Sequence, residues 1–430
     1  MTLYTQGWDL VAATTQQVLN GFLLALYNDG ALPKTIDVSY EGVSMVGTLG
    51  APTINLNPSR GVGTNSLAQI SLPVTGTVTF FGNSNVVPAG TTLNVTTNLR
   101  YLSVEIQGGT AARLSLDLTS NLAVYNIAVK APLAPPWVAF LNGILQFWFS
   151  QQSFAGVYYL GTVDLSSVPG PLLPQGSAYF ATQQNVNNPN VNALAMVANT
   201  SSGSPGVLDF TGSAVLLPTN QTAALYISNR CLLVNLVLPQ IASALNTANT
   251  SFTVTGATST PYNLGLNTEI DLSGEYDPDL DTLNIYVNGN GQIQGDYDAT
   301  GYPIGGFHSI IWVDVDGYFT LTPAQSGQAI TFSSYAPNGS GSIHLSTGGW
   351  FLIGALIIAT FGSLGAALVA VVAVVVPVVI SQLKLSISMS ALQTLLASAN
   401  VSFSWPAQSA CPLVGVGLPG DLVLYLAPSP

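Results

Sequence analysis

The densest polar chemistry of the sequence is a group of carboxylates between residues 269 and 298. Eight of the 19 acidic residues of the chain fall there: Glu269, Asp271, Glu275, Asp277, Asp279, Asp281, Asp296 and Asp298. Asp277, Asp279 and Asp281 have the alternating spacing that calcium-binding loops use. An EF-hand is excluded, because Thr282 stands where the loop needs glycine and Asn288 where it needs glutamate. Two interpretations remain, a solvated turn and a weak calcium site, and no other metal site is predicted.

Residues suited to catalysis are few. The chain has two histidines, His308 and His344, and two cysteines, Cys231 and Cys411. A lone histidine in a β-rich chain is usually a surface or satisfied residue, and apolar neighbours raise the pKa of a thiol rather than activate it. The glycine spacing of residues 415–420 lacks the following helix that a dinucleotide site needs. We therefore expect no catalytic residue, no cofactor and no enzyme activity.

The two cysteines also bear on the redox state of the chain. They are too few for a disulfide scaffold, so one bridge or two free thiols are the alternatives, with free thiols favoured. The amino-terminal residues lack a basic region followed by an apolar stretch. We expect synthesis in a bacterial cytoplasm without a signal peptide, with release by a non-classical route as an open alternative.

An uncharged apolar run extends from Trp350 to Ile380. It is long enough to cross a bilayer, which takes about 20 apolar residues. Glycines and Pro377 interrupt it, its β-branched end suits strands as well as helices, and no cation precedes it closely to set an orientation. The pattern favours a hydrophobic hairpin, buried or conditionally exposed, over a permanent transmembrane helix.

Composition indicates a chain that must bury or share apolar surface. Charged residues make up 6% of the sequence, against about 25% in an ordinary soluble domain. Hydrophobic residues make up 48%, and the net charge is −12 with only seven Lys and Arg. Nucleic acid is excluded as a partner because phosphate binding needs clustered cations. Contact with anionic lipid headgroups is disfavoured for the same reason, so any membrane contact must be hydrophobic.

Alternating patterns predict sheets with one apolar face, at residues 114–119, 283–288 and 385–390. Three amphipathic helices are predicted beside them: Trp8 to Tyr27, Pro136 to Phe149, and one that begins near Pro239. The fold class is therefore α+β, with long antiparallel strands laid around long amphipathic helices.

A family resemblance rests on three parts of the sequence. They are Gly7-Trp8-Asp9-Leu10-Val11 with Val18-Leu19-Asn20, the stretch Ala224 to Pro239, and Phe403-Ser404-Trp405-Pro406 near the apolar run. Together they resemble the clostridial forty-seven-kilodalton family, of the OrfX type, which is encoded beside botulinum-type neurotoxin genes and in other bacterial toxin loci.

The resemblance implies a tubular lipid-binding (TULIP) fold, in which highly curved antiparallel sheets wrap long helices in an elongated body. It implies two TULIP-like halves, 1–200 and 201–430, the second containing the apolar run. It also implies a bound lipid or fatty acid and no catalysis. Candidate residues that line the lipid tube are Trp8, Val11, Val18, Phe22 and Leu26. Candidate membrane contacts are Phe147, Trp148, Phe149, Trp350 and Phe351.

Three functional hypotheses follow. The first is a lipid-binding tube in a bacterial toxin system, either accessory to a toxin or itself insecticidal. The second is a pore-forming protein that inserts residues 350–380 into a membrane. The third is a non-catalytic subunit that buries its apolar surface against a partner of a toxin complex.

Overall fold

The computed structural model describes residues 3–56, 67–106, 109–116, 124–129, 133–151, 159–164, 174–184, 192–200, 206–208, 210, 215–218, 220–257, 260–272, 274–303, 311–345, 363–383, 403–404 and 411–430. The chain forms two compact units. The first unit comprises residues 4–226, 394–415 and 424–430, and the second comprises 1–3, 227–393 and 416–423. The halves 1–200 and 201–430, as two lipid-binding tubes, stay a prediction.

The elements alternate between many strands and a few helices. Up to residue 200 they are β1 Leu10–Thr15, α1 Gln16–Asn28, β2 Thr35–Tyr40, β3 Val43–Leu49, β4 Thr53–Asn55, β5 Leu67–Phe80, β6 Asn83–Val87, β7 Thr92–Ile106, β8 Gly109–Leu116, β9 Val124–Ala128, α2 Pro135–Gln151, β10 Tyr159–Asp164, β11 Gln175–Gln183 and β12 Ala193–Asn199. After it they are β13 Ala223–Ile227, a π-helical turn Cys231–Val237, α3 Leu238–Ala244, a 3₁₀ turn Asn249–Ser251, β14 Phe252–Ala257, β15 Thr260–Leu266, β16 Ile270–Asp271, β17 Asp279–Val287, β18 Ile293–Gly301, β19 Ile311–Ser326, β20 Ala329–Leu345, α4 Leu364–Leu383, β21 Phe403–Ser404, β22 Leu413–Gly417 and β23 Leu422–Leu426.

The strands pair into antiparallel sheets. The largest has the order β2-β3-β5-β7-β8-β10-β21, with β4 and β6 beside β5 and β9 beside β7. A six-stranded sheet has the order β11-β12-β1-β13-β23-β22. The third has the order β14-β15-β17-β18-β19-β20, with β16 beside β17. The predicted α+β class is confirmed.

The first predicted helix begins later than its sequence pattern indicates. Residues 10–15 form strand β1, which pairs with β12 in the register Leu10↔Ala198 and is buried along its length. Helix α1 starts only at Gln16, after Thr15 accepts a hydrogen bond from the Val18 backbone N–H at 3.3 Å. The prediction of one helix from Trp8 to Tyr27 is wrong, because a run that is apolar on both sides has no period that separates strand from helix.

The other described elements agree better with their patterns. The predicted helix Pro136 to Phe149 is confirmed as α2, and the one near Pro239 is confirmed as α3. The alternating residues 114–116 and 283–287 lie in β8 and β17. The third alternating stretch, 385–390, lies outside the described residues.

The apolar run is a helix where the structure describes it. Residues 364–383 form α4, which continues through Pro377. This part is helical because packing on the third sheet overrides the strand preference of its valines, and the hairpin over the whole run stays a prediction. Residues 350–362 lie outside the described ranges. Within those ranges, no helix combines the length and apolarity that a membrane crossing requires.

Candidate lipid-contact site

The candidate tube-lining residues do not share one element. Trp8 is 2% exposed, donates its indole N–H to the Val207 carbonyl at 3.1 Å, and lies against the ring of Tyr179. Val11 is buried on β1. Val18, Phe22 and Leu26 follow one another at four-residue spacing on α1, where Val18 is half-buried and the other two are buried. The structure therefore groups the three α1 residues, places Val11 on β1 and places Trp8 in the segment just before β1.

Asp9, beside Trp8, belongs to the packing of the first unit. Its carboxylate is 1% exposed and accepts hydrogen bonds from the Thr200 backbone N–H at 3.0 Å and the Thr200 hydroxyl at 2.7 Å. Its own N–H donates to the Asn199 side chain at 3.1 Å. The Gly-Trp-Asp motif thus ties β1 to the end of β12.

Helix α2 carries aromatic side chains to the ends of two hairpins. Phe147 stacks on Tyr40 with ring centroids 3.9 Å apart, and Phe140 stacks on Phe80 at the same separation. Trp148 is 4% exposed and Phe149 is fully buried, so of these three candidate membrane contacts only Phe147 lies near the surface. Trp350 and Phe351 lie outside the described residues.

Phe81, which the sequence analysis did not single out, is the most exposed large hydrophobic side chain of the described residues. It is 74% exposed, in the turn between β5 and β6, whereas Tyr40 nearby is 43% exposed. Gly82 after an alternating stretch is the one local signal for a turn here, and hairpin turns prefer asparagine, aspartate or glycine where Phe81 stands, so the sequence pattern did not identify it.

Helix α4 lies on a face of the third sheet where glycines leave room for it. A Cβ atom at Gly301 would lie 2.8 Å from both Val371 and Val375, and one at Gly339 would lie 2.6 Å from Val376. The buried side of the helix consists of Ala367, Val371, Val375, Val376 and Val379. The opposite side is exposed and equally apolar: Ala366, Val369, Ala373 and Pro377. The helix is therefore apolar all round, and among the described residues only one side of it is covered.

A polar atom is enclosed in the core of the same unit. The Tyr297 ring lies where a Cβ at Gly317 would approach it within 2.4 Å. Tyr297 is 1% exposed, and its hydroxyl has no hydrogen-bond partner within the part of the chain that the structure describes. Burial raises the pKa of Tyr297 to about 12. A buried hydroxyl without a partner costs stability.

Tyr297→Phe is therefore expected to stabilise the second unit, by about 1 kcal/mol, because it removes a hydroxyl that lost its water without gaining a partner. Urea unfolding measures the change. Tyr286→Phe is the matched control on the neighbouring strand, because the Tyr286 hydroxyl donates to Asp296 at 2.8 Å and its loss should not stabilise. Equal effects of the two substitutions would contradict the prediction.

The carboxylates of the acidic cluster are distributed over neighbouring strands. Asp298 on β18 lies directly opposite Thr282 on β17 and Asp316 on β19. A hydrogen bond with Asp298 and its negative charge raise the pKa of Asp316, and burial raises that of Asp281. An open depression of about 460 Å³ is lined by both carboxylates of the cross-strand pair, Asp298 and Asp316. The cluster is thus a row of like charges across a sheet.

The candidate calcium residues are not gathered into one site. Asp277 lies in a turn with a φ of 45°, whereas Asp279 accepts from the Tyr302 hydroxyl at 2.9 Å and Asp281 from the Thr300 hydroxyl at 2.8 Å. Across the described ranges, no three His, Cys, Asp or Glu side chains are close enough together to hold a metal ion.

Asp298→Asn is expected to stabilise the protein at neutral pH by roughly 0.5 kcal/mol, because like charges directly opposite each other in a sheet destabilise it. A raised pKa of Asp316 in the folded state means that its stabilising contribution is present below the ordinary aspartate pKa and is lost as pH rises through the raised value. The variant should therefore lose less stability between pH 4 and neutral pH than the original protein.

Urea unfolding at several pH values checks this expectation. The asparagine side chain keeps an oxygen that can accept the hydrogen bond from Thr282, which donates to Asp298 at 2.6 Å. Asp37→Asn, an exposed acid on β2, is the control for lowering the net charge alone. An unchanged pH profile in Asp298→Asn would refute the prediction.

The described residues include His344 and both cysteines. His344 uses the same atom, Nε2, for contacts with the Asp314 carboxylate and the Ser342 hydroxyl, both at 2.9 Å. A Ser-His-Asp triad needs the two contacts on opposite ring nitrogens. Both cysteines are free thiols: Cys231 is buried, and burial raises the pKa of Cys411 to about 11. His308 lies outside the described residues.

Comparison with known proteins identifies the fold. No protein-family model matches the sequence, and no curated protein matches it. P47 from Clostridium botulinum A2 matches with a TM-score of 0.71 and 15% identity, over 99% of this chain and 98% of that chain. P47 of Clostridium botulinum E1 matches with a TM-score of 0.71 and 13% identity, over 98% and 99%.

A lipopolysaccharide binding protein also aligns over 98% of this chain and 99% of its own, at 12% identity, but its TM-score of 0.24 is too low to indicate a shared fold. The two P47 structures, by contrast, match the chain along almost its whole length. The chain therefore has the fold of the clostridial forty-seven-kilodalton proteins, the family that its sequence resembles.

Proposed function

We propose that the protein binds lipid through apolar surfaces and acts in a bacterial toxin system, as a toxin accessory or as an insecticidal protein, without catalysing a reaction. The P47 fold and the sequence resemblance support the toxin association. The low charge supports a hydrophobic ligand, because seven Lys and Arg in the whole chain are a poor basis for binding phosphate groups by charge.

The observation that carries the proposal is helix α4. A helix that is apolar on all sides is normally enclosed by protein or by lipid. Here Val371 and Val375 are buried against the sheet, whereas Val369 on the other side is 69% exposed. Acyl chains would cover that side without requiring any polar partner, because the interaction between apolar surfaces is non-directional.

The experiment that tests lipid binding is mass spectrometry of an organic extract from protein purified without detergent. A stoichiometric phospholipid or fatty acid is the expected result. Native mass spectrometry of the same sample should show a mass increment that disappears after delipidation. An empty extract, together with an unchanged native mass, would contradict the proposal.

A second candidate function is membrane insertion of residues 350–380, with pore formation. The exposed apolar side of α4 favours it, because that side could enter a bilayer if the helix leaves the sheet. Release of a trapped dye from liposomes is the test. Absence of release across a range of pH and lipid composition, from liposomes that the protein binds, would exclude pore formation while leaving lipid binding intact.

A further inference from the structure

Two hairpin turns of the first unit lie side by side. Glu41 and Gly42 form the turn between β2 and β3, and Phe81 and Gly82 form the turn between β5 and β6. Strands β3 and β5 pair in the register Val43↔Phe80, and the Phe81 backbone N–H donates to the Gly42 carbonyl at 3.1 Å. Both turns are therefore held at one end of the same sheet.

Phe81 is fixed in an unusual position for a phenylalanine. Its φ is 42°, in the left-handed region, which costs a residue with a Cβ roughly 1–2 kcal/mol. Its ring lies over Gly42, where a Cβ would meet Phe81 Cε1 at 2.8 Å. Glycine or asparagine would occupy this turn position with less strain. An exposed aromatic ring is thus held at the turn despite a local conformational cost.

Phe81 contacts one aromatic ring directly, and a second aromatic pair joins the other turn to helix α2. Phe80 contacts Phe81 edge-on with centroids 4.6 Å apart and stacks on Phe140 at 3.9 Å. Tyr40 stacks on Phe147, also at 3.9 Å. We call the set formed by Tyr40, Phe80, Phe81, Phe140 and Phe147 the aromatic tip. Its outermost members, Phe81 and Tyr40, are the exposed ones.

The charges around the aromatic tip indicate what it contacts. Residues 35–56, 67–99 and 133–151, which build the tip and its supports, contain no Lys or Arg. Their acidic residues are Asp37 and Glu41. Glu41, as a hydrogen-bond acceptor and a negative charge beside it, raises the pKa of Tyr40. An anionic membrane would repel this surface, whereas a zwitterionic one would not.

We propose that the aromatic tip docks the protein on the interface of a zwitterionic lipid bilayer. Aromatic side chains partition into the headgroup region, where their rings are desolvated and their polar ends stay hydrated. Phe81 enters furthest, and the Glu41 carboxylate beside it limits the depth to the interfacial region. The inference rests on the proposed function only in that lipid is the partner; it assigns the residues that meet the bilayer.

Sedimentation with phosphatidylcholine vesicles tests the docking. Phe81→Asn should lower the vesicle partition coefficient about tenfold, which corresponds to about 1.4 kcal/mol. Asparagine tolerates the left-handed backbone, so the variant should fold and melt no lower than the original protein. Phe81→Trp should retain binding, and brominated phosphatidylcholine should quench its fluorescence more than that of the original protein.

Val86→Thr is the matched control, because Val86 is 68% exposed on β6 away from the turn. It should leave the partition coefficient unchanged, as should raising the salt concentration, since the contact is apolar. Docking is overturned if the original protein does not bind these vesicles. It is overturned equally if Phe81→Asn has the same partition coefficient as the original protein. It is also overturned if Phe81→Asn instead dissociates an oligomer of the lipid-free protein.

The failures of docking and of the proposed function are distinguishable. If the organic extract contains lipid but the protein does not bind phosphatidylcholine vesicles, docking is overturned and lipid binding stays in place. An empty extract from protein that docks through Phe81 would overturn lipid carriage and leave docking in place.

Discussion

Asp9→Ala is expected to lower the free energy of unfolding of the first unit by about 3 kcal/mol. The substitution removes the carboxylate that accepts two hydrogen bonds from Thr200, and it leaves the buried Thr200 N–H without that acceptor. Hydrogen bonds to charged groups contribute roughly 1.5–3 kcal/mol, and a buried donor left unpaired costs about 1–3 kcal/mol. The melting temperature should fall by roughly 6–12 °C.

Asp9→Asn is the informative control. It keeps one side-chain oxygen that can accept from Thr200, so it should cost less than Asp9→Ala. Urea unfolding followed by circular dichroism measures both variants. An alanine variant that unfolds at the same denaturant concentration as the original protein would show that the motif does not hold β1 to β12.

The second stretch that carries the family resemblance has a similar structural role. Asn229 donates its backbone N–H to the buried Asp421 carboxylate at 2.8 Å and accepts from the Tyr262 N–H at 2.6 Å through its side chain. Asp421 is 1% exposed. The two motifs therefore describe how strands and loops are joined, which explains why they predict the fold while leaving the ligand unnamed.

The hydrophobic periodicity of the sequence and its family resemblance predicted different parts of the fold. The broad apolar face of residues 136–149 predicted α2 closely, and the alternation at residues 283–287 predicted β17. Both elements have one wet side, so their period is visible. Residues 8–15 and 364–383 lack a polar side, and partners distant in sequence, namely β12 and the glycine-lined sheet, decided whether they form a strand or a helix.

The candidate site was predicted in part. Phe147 was identified from its place in an aromatic cluster, and the structure puts it next to Tyr40. Phe81 was missed because its exposure depends on the pairing of β3 with β5, which brings two turns together from different hairpins. Trp148 and Phe149 were included because local sequence cannot distinguish the buried side of α2 from its surface side.

Gly301→Val is expected to displace helix α4 and to destabilise the second unit by about 2–3 kcal/mol. A Cβ at this position would lie 2.8 Å from Val371 and from Val375, both fully buried, so the helix must move to admit it. Overpacking of a core costs typically 1–3 kcal/mol. Gly289→Val is the control, because a Cβ there meets nothing within 4 Å. Urea unfolding measures both variants.

A second substitution, on the helix, distinguishes displacement of α4 from destabilisation of strand β18 itself. Val375→Ala removes one of the two side chains that the new valine would strike, so Gly301→Val with Val375→Ala should be more stable than the sum of the single effects predicts. Additivity would mean that the helix does not lie on Gly301 in solution. If displacement also increases lipid uptake from phosphatidylcholine vesicles, while Gly289→Val does not, the face beneath α4 is itself accessible to acyl chains. The helix would then cover a face that can also hold lipid.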